Sequence, residues 1–232
     1  MAGGFFIHSG RLHAMARAAA ERARREASTS SDHRREDAIT AVVMAAVAAE
    51  AFINELGELA VGAAQGPMFV VAENQKFLEL GDVLEEIEMA RGSLMLKYHM
   101  ASKLLSGATL KKGENPMQDF ATLVNLRNDF VHLKPRDNIG LSAEGRLKVN
   151  PPRYVSELQR RGLALRPADI DVMSWFDLLM TVELAEWACA TSKNMILKIL
   201  SFIPDHPLDP AALMKRIFRD DPHRPGVGRG VA

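Results

Sequence analysis

The sequence predicts an all-α protein: a single helical bundle of four to five core helices, with an extra N-terminal helix and a flexible C-terminal tail. Three observations carry that prediction. Ala, Leu and Met are plentiful, aromatic residues make up only 6% of the chain and β-branched runs are few, a mix that favours helices over sheets. Apolar residues recur at helical spacing, and neither a strand pattern nor an internal repeat stands out. Gly, Pro and Ser/Thr clusters cut the chain into pieces of helix length. With 232 residues, 47% of them apolar, there is enough material for one real core.

Taken in order, residues 11–27 read as a polar, basic helix with few anchors, Leu12 and Met15, followed by a Ser/Thr loop at 28–31. Ser31 or Asp32 caps a second helix, and Glu36 and Asp37 occupy its first turn, where the positive end of the helix dipole favours acids. That helix runs to about Ala60. Its apolar residues, among them Ile39, Val42, Phe52, Ile53 and Leu56, cover much of its circumference and make it central, while Glu55 and Glu58 fall on its solvated side. Beyond a break at 62–73, a third helical stretch extends from Asn74 to about Leu105 and is divided at Gly92.

After a loop at 107–115, Asn115 caps the next helix, with Pro116 at its first position, where a missing N–H costs nothing. This helix ends by Lys134, because Pro135 disfavours α geometry in the residue before it. Residues 135–152, with three prolines and two glycines, read as a long loop, and 154–161 as a short helix closed by Gly162. Asp169 or Asp171 opens the last long helix, which runs to about Phe202 with Trp175 and Trp187 as core anchors. The expected organisation is a basic extension at 1–30, the bundle at 31–203 and a tail at 204–232 that is helical at 210–218 and disordered at its end.

Charge argues against a global attraction for nucleic acid, since 29 basic and 29 acidic residues cancel. Locally the balance is uneven: residues 1–35 carry +4 and residues 73–91 carry −4. Cys189 is the single cysteine, which excludes an internal disulfide and a Cys-based zinc site and fits a reducing cytoplasm. No metal or other cofactor is expected. The longest apolar stretch, Ala38 to Ala49, ends at Glu50 and is shorter than the roughly 20 residues that span a bilayer, so no membrane is expected either.

The segment that carries chemistry is Arg127-Asn128-Asp129-Phe130-Val131-His132. On a helical wheel with Arg127 at zero, Asn128 falls at about 100° and His132 at about 140°, while Leu123, Leu126 and Phe130 cluster on the opposite side. The helix therefore buries Leu and Phe and presents Arg127, Asn128 and His132. A His moves protons near neutral pH, an Arg offers a planar fork to a phosphate, and an Asn orients either group. A single copy lacks a second acid/base group. By spacing alone, the same residues also read as a wet helix C-terminus with its charges satisfied. Glu50 and Asn54, one turn apart on the apolar second helix, read either as supports of this cleft or as a polar stripe bridging neighbouring helices.

The stretch from Pro116 to Pro135 is similar to the motif helix of the HEPN superfamily, in which an Arg followed by a polar residue precedes a His and leucines line the inner face. Ala48-Ala-Glu-Ala-Phe-Ile-Asn-Glu-Leu56 resembles an early helix of one bacterial, ribonuclease-like branch of that superfamily. The resemblance covers residues 35–135 well and the Trp187 helix more loosely. It implies a homodimer whose two Arg-x-x-x-x-His motifs line one cleft, and an endoribonuclease that cuts RNA without metal, leaving a 2′,3′-cyclic phosphate. Carried over by position, His132 transfers protons, Arg127 stabilises the transition state and Asn128 orients the pair, with Glu50, Asn54 and Asp129 in support. It also implies a setting in defence, toxin–antitoxin or stress response, with an antitoxin or regulatory protein as a partner. The alternative is a non-catalytic HEPN scaffold that binds RNA, a nucleotide or a protein.

Overall fold

The computed structural model describes residues 7–30, 34–65, 75–132, 139–141, 147–149, 151–166, 174–203, 214 and 217–218. Seven helices are formed among them: α1 (Ser9–Ala27), α2 (Glu36–Gln65), α3 (Gln75–Met89), α4 (Leu94–Ser106), α5 (Met117–Val131), α6 (Arg153–Arg160) and α7 (Val182–Leu200). The architecture is an all-α bundle organised around α2, against which α1, α3, α5 and α7 pack. Small residues on α2 (Ala38, Ala41, Ala45, Ala49) bring the neighbouring backbones close, and Phe52, Ile53 and Leu56 fill its second half. By length and composition, residues 36–62 are apolar enough to cross a membrane. The run without a charged residue stops at Glu50, so the shorter stretch read from the sequence understated this helix, whose many buried residues make it the core helix of the bundle.

Two glycines set helix placement by close approach. A Cβ on Gly81 of α3 would lie 2.8 Å from the backbone nitrogen of Val61 on α2. A Cβ on Gly92 would meet the Ile87 side chain at 2.5 Å, so the chain turns there between α3 and α4. The expected division at Gly92 is found: Ser93 caps α4 by accepting from Leu96 N–H, and Gly107 closes it with φ +79°.

Four expectations need correction. Leu12 and Met15 do not anchor α1: Met15 is 49% exposed, and the buried face is made of Ala16, Ala19, Ala20 and Ala23 with His13. Methyl-sized side chains anchor here because α1 lies directly on α2 and α7, a closeness that no single-helix pattern reveals. Glu55 is not solvated either. It is buried and accepts from His8 N–H (2.6 Å), Ser9 N–H (2.9 Å) and the Ser9 hydroxyl (2.6 Å), supplying α1 with the cap that its own N-cap residue, His8, does not provide.

The last long helix begins later than expected, at Val182, where Thr181 accepts from Leu184 N–H at 3.1 Å. A separate 3-10 turn, Trp175–Leu179, precedes it and is closed by a capping box of Ser174 and Asp177. Finally, the span 135–152 carries a two-stranded antiparallel hairpin, β1 (Ile139–Leu141) with β2 (Leu147–Val149), in the register Ile139 to Val149. Strands of three residues are too short to show an alternation. Ser31, Asp32, Asp169 and Asp171, expected caps, lie outside the described residues, as do most of the tail positions. Of the tail, Met214 and Phe218 are buried, with the Phe218 ring edge-on to Phe52 and to His13.

Candidate active site

Helix α5 is seated by its inner face. Met117, Phe120, Leu123 and Leu126 are fully buried, and the Phe120 ring lies 4.5 Å from that of Tyr98. At its start Pro116 takes the N-cap position and the Asn115 side chain accepts from Asp119 N–H at 3.3 Å, so Asn115 caps the helix from one residue further out than the sequence suggests. Asp119 also holds the Arg161 guanidinium at 2.7 and 3.2 Å and accepts from Trp187 Nε1 at 3.3 Å, tying α5 to α6 and α7. At the other end Phe130 stacks on Trp175 with centroids 6.3 Å apart and meets Phe176 edge-on. With both ends held, the outer face of α5 is fixed in rotation.

That face presents Arg127. Its Nη2 donates to Glu50 Oε2 at 2.9 Å and its Nη1 to Asn128 Oδ1 at 3.1 Å. The two charged side chains are 31% and 39% exposed, which makes this a half-wet pair rather than a buried one. An arginine carries five N–H donors, so three remain without a partner among the described residues. His132 is the C-cap residue: its backbone N–H reaches the Asn128 carbonyl at 3.0 Å, and its imidazole is exposed beside Val131. Arg127, Asn128 and Glu50 thus form one cluster, with His132 one turn beyond Asn128 at the end of the same helix.

The other two supporting residues are drawn elsewhere. Asn54 accepts from Lys97 Nζ at 2.7 Å, and the same ammonium pairs with Glu88. Asp129 accepts from the Tyr154 hydroxyl on α6, and burial followed by that bond pushes the Tyr154 hydroxyl well above its ordinary value. Glu50 and Asn54 therefore part company. The first contacts Arg127 on α5 and the second bridges to Lys97 on α4. Lys97, whose side chain is only 6% exposed, escaped sequence reading because nothing in its spacing sets it apart from a surface lysine.

Tyr98 is fully buried and donates to the Ala49 carbonyl at 2.8 Å. His99 Nε2 is buried without a partner among the described residues, and burial, then the Lys112 charge, lowers its pKa. Of the basic residues near the motif in sequence, Lys111 is paired with Glu114 at 2.8 Å, while Lys134 and Arg136 lie outside the described residues. No group of three or more His, Cys, Asp or Glu is placed to hold a metal among the described residues. Compared with family models, curated proteins and solved structures, the chain matches none.

Proposed function

We propose that this protein is a HEPN-type endoribonuclease, working in the cytoplasm as a homodimer without metal. One observation carries the reading: Arg127 is held at the surface by Glu50 and Asn128 with three donors left over among the described residues, on the helix that ends in the exposed His132. In the reaction the ribose 2′-oxygen forms a bond to the adjacent phosphorus and the bond from phosphorus to the 5′-oxygen breaks. One imidazole takes the 2′-hydroxyl proton. A second, from the other copy's motif, gives a proton to the leaving oxygen, leaving a 2′,3′-cyclic phosphate. Arg127 donates to the phosphate oxygens as negative charge builds on them, and Asn128 keeps its guanidinium in plane. Because a 2′-hydroxyl is required, DNA is not a substrate. Such an activity fits a role in defence, toxin–antitoxin or stress response, restrained by a protein partner.

The Glu50 carboxylate favours a second reading. It cancels the Arg127 charge and competes with an incoming phosphate, as suits a scaffold that binds without cutting. The deciding experiment incubates a labelled structured RNA with the protein in EDTA, beside an equally folded His132→Ala variant. The expected result is cleavage by the wild type alone, with cyclic-phosphate ends. Equal cleavage by both proteins removes His132 from the mechanism, and no cleavage of any RNA tried hands the case to the scaffold.

A further inference from the structure

A cavity of about 480 Å³ opens between the start of α5 and the second half of α7, at the far end of α5 from His132. Thr191, Asn194 and Lys198 recur three and four residues apart, so one stripe of α7 faces it, and Ser201 follows at the helix end. Asn115 and Asp119 line it from the start of α5, and Pro116 and Leu197 are its apolar part. The acid on this wall is already answered: Asp119 holds the Arg161 guanidinium at 2.7 and 3.2 Å and accepts from Trp187. Lys198 has no carboxylate partner among the described residues. Its ammonium lies 4.9 Å over the Phe202 ring, a contact that cancels no charge.

Thr191 is the lining residue that the fold does not explain. It is only 4% exposed, yet its hydroxyl has no hydrogen bond among the described residues. The side-chain atoms sealed from solvent without a partner are Arg35 Nε and His99 Nε2, so the Thr191 hydroxyl is not sealed and opens into the cavity that it lines. Burying a hydroxyl without a partner is unfavourable, and a valine would fill the same space. Its neighbours are unspent as well. The Asn194 amide has no hydrogen bond among the described residues, and Asn115 gives its Oδ1 to Asp119 N–H at 3.3 Å, which leaves its amide N–H groups. Ser201 donates to the Lys198 carbonyl at 2.7 Å, so towards a ligand it accepts. The start of α5 adds the positive end of a helix dipole. Donors from one lysine, two amides and a hydroxyl therefore share a cavity that carries one unanswered positive charge.

We propose that the cavity between α5 and α7 binds a phosphate group, with Lys198 as its counter-charge and Thr191, Asn194 and Asn115 as neutral donors to its oxygens. A lysine is a point charge that suits a tetrahedral anion, and a phosphate takes up more donors than the two oxygens of a carboxylate. The phosphate is the free ion or the end of a small ester, two sources that present the same oxygens. The volume admits an ester of mononucleotide size, its body against Pro116 and Leu197. None of the lining residues belongs to the Arg127 cluster, so the site stands whether or not that cluster cuts RNA.

The test is calorimetric titration of the full chain with inorganic phosphate, with adenosine 5′-monophosphate and, as the control without phosphate, with adenosine. Two variants accompany the wild type: Lys198→Gln, which removes the charge, and Thr191→Val, which removes the hydroxyl and keeps the shape. At least one of the two phosphate ligands is expected to bind. Lys198→Gln weakens that binding about tenfold or more and Thr191→Val about fivefold, with the thermal midpoints unchanged. Tighter binding of the mononucleotide than of phosphate identifies an ester site, and phosphate binding at least as tightly identifies a site for the free ion. Asn194→Leu, at an exposed position, stands in for a variant that fails to fold. No phosphate binding at millimolar concentration, adenosine binding as tightly as its monophosphate, or an affinity unchanged by either substitution overturns the assignment.

Discussion

Glu50 and Glu55 lie five residues apart on α2, which turns their side chains about 140° from each other. Glu50 faces a half-exposed seam and pairs with one guanidinium on α5. Glu55 faces inward, where it accepts three hydrogen bonds from the start of α1. The first carboxylate stays in contact with water and is exchangeable, so it can hold an arginine that must also meet a ligand. The second has replaced water with two backbone N–H groups and a hydroxyl, so it is structural. One residue type on one helix thus serves two ends, and what differs is the neighbour each side chain meets.

The largest expected effect breaks the inner contact. Glu55→Ala strands two backbone N–H groups and a hydroxyl at the start of α1, and loss of such charged-group hydrogen bonds costs about 3 kcal/mol. Urea unfolding measures it, and a loss below about 1 kcal/mol would mean that α1 is held by packing alone. Next comes packing itself. Ala19→Leu forces a larger side chain into a fully buried contact and is expected to cost about 2 kcal/mol, whereas Met15→Ala stays within about 0.5 kcal/mol. The reverse order would restore Met15 as the anchor. The smallest effect belongs to the outer pair. A double-mutant cycle of Glu50→Ala and Arg127→Ala is expected to give a coupling of about 0.5 kcal/mol, screened by salt, because both side chains are about a third exposed. A coupling several times larger, insensitive to salt, would make Glu50 a structural residue like Glu55.

Helix existence and punctuation were legible in the sequence, and so was the face of α5. Leu123 and Leu126 are buried and Arg127 is presented, as the wheel requires, because a 3.6-residue period is a property of the local chain. Where reasoning needed a neighbour, it failed or stayed open. Asp129 turns to Tyr154, and Asn54 to Lys97, through contacts between residues 25 and 43 positions apart. The start of α7 moved because Ser174 and Thr181 are both able caps, and only the packing of Trp175 beneath Phe130 separates the two turns.

By itself, then, the sequence determined a helical bundle with α2 at its centre and a motif helix offering Arg127, Asn128 and His132 on its outer side. These follow from periodicity, composition and the stereochemistry of Pro and Gly, which act over a few residues. Only the tertiary structure decided which carboxylate meets Arg127, that alanines rather than Leu12 and Met15 seat α1, and that Arg24 of α1 pairs with Glu186 of α7. Those outcomes depend on which side chains from distant segments share a dry or half-wet space, and a one-dimensional pattern does not encode that distance.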